Sequence, residues 1–125
     1  MWTESQGCAV LYQVFTRRGF VIATNVLFRE GEGAAQVSFE IDGWDANERV
    51  GYEFLSRSEG DHDDLTPEEL VLLGDRMTRG ELAIFVVDET DFDSEAALEI
   101  YADAFLDEVM RRKARRSGPT AEAGA

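Results

Sequence analysis

Six consecutive apolar residues, Leu82-Ala83-Ile84-Phe85-Val86-Val87, end abruptly in Asp88-Glu89-Thr90-Asp91-Phe92-Asp93, and no other stretch restricts the fold as much. Along a strand side chains alternate faces, so Leu82, Ile84 and Val86 point one way while Ala83, Phe85 and Val87 point the other. Both sets are apolar, so the strand needs cover on both faces and is a poor candidate for an exposed edge. A partner chain over one face is one way to supply that cover. Helix signals flank the run, and residues 66–116 read as helix, buried strand, helix.

The first of these helices has a complete start signal. Thr66 can accept from the amide of Glu69, Pro67 sits where a missing amide is harmless, and Glu69 can reach back to the Thr66 amide. Leu70, Leu73 and Met77 form its inward stripe, and Gly80 ends it. The second helix starts at Asp93 or Ser94 and runs to about Arg115. Leu98, Tyr101, Ala102, Phe105 and Val109 lie on one face, acids come early, and bases crowd the end, as the helix dipole favours. Ser117-Gly118-Pro119 reads as its stop.

Upstream, Ala9 to Thr16 is rich in β-branched and aromatic residues and reads as a strand, with Phe20 to Arg29 as its hairpin partner and Asn25 as a bulge or kink. Gln36 to Asp42 alternates without a fault, placing Val37, Phe39 and Ile41 inward and Gln36, Ser38, Glu40 and Asp42 toward water. Val50 to Ser56 alternates again after a loop over 43–48. The fold class that follows is α+β: a mainly antiparallel sheet of about five strands, made of a four-stranded N-terminal meander plus one buried strand, with two helices packed on one face. Residues 1–116 form a single domain, and 117–125 read as a disordered C-terminal tail. A chain of 125 residues suits one core.

Charge narrows the function classes. The formal net charge is −14, and residues 30–108 alone carry −20, between a +2 N-terminal segment and a +4 C-terminal segment. Such a surface repels phosphate, so general nucleic-acid binding is disfavoured. No run approaches a membrane span or a signal peptide, which gives the expectation of a soluble, cytoplasmic protein without membrane contact. Cys8 is the only cysteine and reads as a small buried residue heading the first strand, so no internal disulfide is available.

The candidate sites are few. Asp88, Glu89, Asp91 and Asp93 follow the end of the apolar strand, where α/β proteins often bind ligands, and clustered carboxylates suit a hard divalent cation. They fail the calcium-loop pattern, because Ala96 and Ala102 replace its glycine and closing glutamate. His62, the only histidine, sits in an acidic loop from Ser58 to Asp64 and has no nucleophile motif to serve. Gly31-Glu32-Gly33 is not a phosphate loop, since Glu32 would repel phosphate. The sole lysine, Lys113, belongs to the basic tract Arg111 to Arg116, whose simplest role is docking on the acidic body.

No catalytic set emerges and no cofactor is implied. The function expected is a non-catalytic acidic binding protein (an inhibitor, immunity factor, adaptor or chaperone) that recognises a basic protein surface through Glu40, Asp42, Asp45, Asp61, Asp63 and Asp64, with a homo-oligomer compatible with the pattern. The alternative is a divalent-metal-dependent enzyme or regulator that uses the acids after the apolar strand.

Overall fold

A computed structural model describes residues 3–55 and 66–123, with side chains as far as 115. Three helices and four strands follow one another as α1 (Glu4–Arg17), β1 (Ala23–Glu30), β2 (Val37–Asp45), β3 (Val50–Leu55), α2 (Pro67–Thr78), β4 (Ala83–Asp88) and α3 (Glu95–Ala123). The sheet order is β1-β2-β3-β4. The first two pairings are antiparallel, and β3 pairs with β4 in parallel across the α2 crossover. The class is α+β as expected, but the sheet has four strands and is open and mixed.

The missing strand is α1. Residues 9–16 looked like a strand by propensity, yet the buried residues Gly7, Val10, Leu11, Val14 and Phe15 recur at helical spacing. Thr3 accepts from the Gln6 amide at 3.1 Å while the Gln6 side chain accepts from the Thr3 amide at 3.0 Å, a complete capping box. Burial of one helical face outweighs the weak intrinsic preference of Val, Tyr and Phe for strands. The start of α2 matches expectation: Thr66 and Glu69 satisfy each other's amides at 3.1 Å in both directions. The backbone of α3 continues through the expected stop at 117–119.

The helices cover both faces of the sheet, not one. Val10, Leu11, Val14 and Phe15 of α1 join Leu98, Ala102 and Leu106 of α3 and Val50, Tyr52 and Phe54 of β3 in the first core. Leu73 of α2 joins Phe28, Val37, Phe39, Ile41 and Ile84 in the second. The apolar run behaves as its alternation predicts, with Ala83, Phe85 and Val87 against the first core and Leu82, Ile84 and Val86 against the second. It is nevertheless an edge strand, and within this chain helices provide cover over both its faces.

Alternation breaks once, in β2. Ile41 and Trp44 lie three residues apart yet share the second core, which strict alternation forbids. Between them the β1 ladder registers no pair for Asn25 and Asp42, and pairing with β3 begins only at Gly43 opposite Tyr52. The register is the same on either side, so no residue is inserted. Asn25, at φ +53°, marks a kink in the ladder, not a bulge. Beyond it the hairpin reaches α2 and the start of β3: Glu30 pairs with Arg49 at 2.8 Å and Arg76 at 3.4 Å.

These guanidinium groups, Arg49 foremost, hold the Glu30 carboxyl below the usual carboxylate range. A carboxyl whose folded value is lowered contributes stability above its unfolded value, about 4.3 for Glu, and loses it as pH falls through the folded value. Glu30→Gln should therefore destabilise the protein at neutral pH and flatten the acid limb of its stability profile. Denaturant melts between pH 3 and 7 check this, and a variant that keeps the parent's acid limb contradicts it.

Candidate functional site

At the kink, Asp42 carries a buried carboxylate on the face of the sheet that α1 covers. Where the ladder lapses, two main-chain amides need acceptors other than strand carbonyls. The Asp42 amide donates to Glu53 Oε1 at 3.0 Å, and the Phe54 amide donates to Asp42 Oδ2 at 2.7 Å. Both carboxylates are buried. These hydrogen bonds account for one oxygen of each.

Helix α1 lies over this point. Positions i and i+4 on a helix share a face, so Glu4 and Cys8 stand one above the other on the first turns. Close approach is possible because position 7 is glycine: a Cβ there would overlap the buried ring of Phe54. Ligand atoms of Glu4, Cys8 and Asp42 consequently lie within 4.8 Å of one another, the one such His, Cys, Asp or Glu grouping of three among the described residues.

The electrostatics of the cluster follow from its composition. Burial first, and then the neighbouring Asp42 and Glu4, push the Cys8 thiol well above its usual value. It therefore stays protonated at neutral pH and is a poor nucleophile on its own. Tyr52 is fully buried and its hydroxyl has no hydrogen-bond partner. Burial, Cys8 and Asp42, in that order, push its pKa up. The ring crosses Gly43, the residue after Asp42, and its hydroxyl oxygen lies 2.7 Å from where a Cβ on Gly43 would stand.

The acids expected to bind metal are arranged otherwise. Asp88 Oδ1 accepts from the amide and hydroxyl of Thr90 at 2.9 Å each, and Asp91 Oδ2 accepts from the Asp88 amide at 2.8 Å, so these carboxylates hold their own turn. Asp93 is exposed, and Ser94 caps α3 through the Ala97 amide at 3.1 Å. Among the acids assigned to a partner, Glu40 is exposed, whereas Asp42 and Asp45 are buried. Asp45 accepts from the amides of Val21, Asn47 and Glu48 and thereby fixes the β2–β3 turn. Asp61, His62, Asp63 and Asp64 lie outside the described residues.

The basic tract docks only in part. Arg111, Arg112 and Arg115 pair with Glu108 of their own helix, and Lys113 reaches Glu48 at 3.3 Å. Nearby, a cleft of about 930 Å³ opens where β3 and β4 begin, and its rim residues Arg49, Arg79 and Arg112 are each ion-paired.

Sequence reasoning missed Glu4 and Cys8 because it placed them before and in a strand. The available signal was Thr3-x-x-Gln6, the same capping pattern that was read at Thr66. Comparison with protein-family models, curated proteins and solved structures finds no match for this chain.

Proposed function

We propose that the protein is a divalent-cation-binding protein whose centre is formed by Glu4, Cys8 and Asp42, in place of the run Asp88 to Asp93. One observation carries the reading: two elements bring three ligand-bearing side chains within 4.8 Å at the one place where the sheet departs from regular pairing. Like charges gathered away from water repel, and a cation relieves that repulsion. A bound divalent ion supplies Lewis acidity and acidifies a coordinated water. The chain's own residues contribute the donor set and, through Phe54 and Glu53, the hydrogen bonds that orient Asp42.

Titration calorimetry with magnesium, calcium, manganese and zinc tests this. One site per chain is expected, lost in Asp42→Asn and kept in an Asp88→Asn/Asp91→Asn double variant. The absence of binding at millimolar ion, or binding lost only in the double variant, overturns the reading.

A second reading, recognition of a basic protein surface, draws on how the charges divide. Every described Lys and Arg side chain except Arg29 is ion-paired within the chain. Glu68, Asp93, Glu95 and Glu99 make no ion pair and lie at the starts of α2 and α3, beyond the ends of β3 and β4, while Glu32, Glu40 and Asp75, also without an ion pair, lie elsewhere. Charge of this kind speeds association with a basic partner more than it tightens the final complex. A protein captured by the parent chain at low salt, and lost when Asp93, Glu95 and Glu99 are replaced by Lys, supports this reading. Equal capture by both chains counts against it.

A further inference from the structure

We infer that the centre selects a thiophilic divalent ion of the zinc or cobalt class, with Cys8 as a ligand and the Tyr52 hydroxyl as the group that holds the ion's water. This rests on the cation-centre reading and adds which ion it takes and what completes the site.

Magnesium and calcium sites are built from oxygen donors, several of them waters or main-chain carbonyls. Here one donor in three is sulfur, and thiolate directs a site toward zinc and its neighbours. The sulfur is also placed for the task. Cys8 stands a turn beyond Glu4 on the face of α1 that meets β2, facing an Asp42 that cannot turn away because its Oδ2 is held by the Phe54 amide.

The independent observation is Tyr52. A phenolic hydroxyl both donates and accepts, and a buried one without a partner is rare enough to need a cause. This one is wholly buried, without a partner, and lies over Gly43, the residue next to Asp42. An ion seated between Cys8 and Asp42 and carrying one water gives the hydroxyl the hydrogen-bond partner it lacks, the acidified water donating and the phenolic oxygen accepting. Three protein ligands and a water complete the four-coordinate arrangement usual for zinc. Gly43 belongs to the same construction, since any Cβ there would strike the Tyr52 ring and displace the hydroxyl.

Binding exchanges one bond for another without any redox change. The Sγ–H bond of Cys8 is replaced by an Sγ–metal bond, and the proton leaves to solvent.

Cobalt(II), added to the full chain under a non-thiol reductant, is the probe. The expected result is a thiolate-to-cobalt charge-transfer band in the near ultraviolet that saturates at one equivalent, resists excess magnesium and is displaced by zinc. Cys8→Ser should abolish the band. Glu4→Gln, at a half-buried helix start where folding is tolerant, should weaken cobalt binding, and Tyr52→Phe should keep the band with affinity reduced about 10–100-fold, as for other supporting groups. A site that takes manganese or magnesium in an Asp42-dependent way while cobalt gives no thiolate band overturns this inference and leaves the centre standing. If no ion binds at all, both fall. A thiolate band that Glu4→Gln and Tyr52→Phe leave unchanged in strength and affinity assigns cobalt to a lone cysteine and also overturns it.

Discussion

Phe54→Ala should lower stability by about 3–5 kcal/mol, the range for removing a fully buried aromatic side chain, and Gly7→Ala should cost about 1–3 kcal/mol by forcing a methyl group into the same ring. The two changes should not add. Phe54 is 1% exposed and its ring occupies the space a Cβ at position 7 would take, so once the ring is gone the methyl group meets a cavity. In the double variant the Gly7→Ala step should be close to neutral or stabilising, with an interaction term of about 1–3 kcal/mol. Denaturant melts of the four proteins measure it. Strict additivity would mean that α1 does not approach β3 at this point, and the placement of Glu4 and Cys8 over Asp42 would lose its support.

The second large effect separates stability from binding at Asp42. Asp42→Ala leaves the Phe54 amide buried without an acceptor, which should cost about 1–3 kcal/mol. Asp42→Asn retains an oxygen for that amide and removes a negative charge close to Glu53 and Cys8. Measured with chelator present, Asn should stay within about 1 kcal/mol of the parent and can exceed it, because a site that gathers like charges sacrifices stability for its ligand. With the ion added, the parent should gain stability as RT ln(1 + [L]/Kd) while both variants gain nothing. If Asn and Ala are equally destabilised and the parent does not respond to any ion, Asp42 is only an acceptor for an amide.

How much of this could be read from the sequence depends on whether the signal was local. Thr66, Pro67 and Glu69 specify a helix start within four residues, and Leu82 to Val87 specify a strand with two apolar faces; both appear as written. The strand's edge position was not legible, because apolarity reports cover on faces and is silent about which edge pairs. Ala9 to Thr16 contained two competing messages, strand propensity in each residue and helical spacing across the set, and the spacing decided the outcome. Asp42 shows why the site was hidden. Alternation from Gln36 puts it on the face opposite Val37, Phe39 and Ile41 and assigns that face to water; the structure keeps Asp42 there but covers it with α1, the segment whose strand propensity hid its helical spacing. Asn25 was visible as an irregular position; the acid opposite it was not, since the gap in the ladder that sets the two opposite each other exists only in the folded register.

The most direct test is an anomalous difference map, recorded at the zinc absorption edge, from crystals of the full chain grown with zinc. The account predicts a single strong peak per chain between α1 and β2, within bonding distance of Glu4, Cys8 and Asp42. A map with no peak there, or with its strongest peak on Asp88 and Asp91, contradicts it.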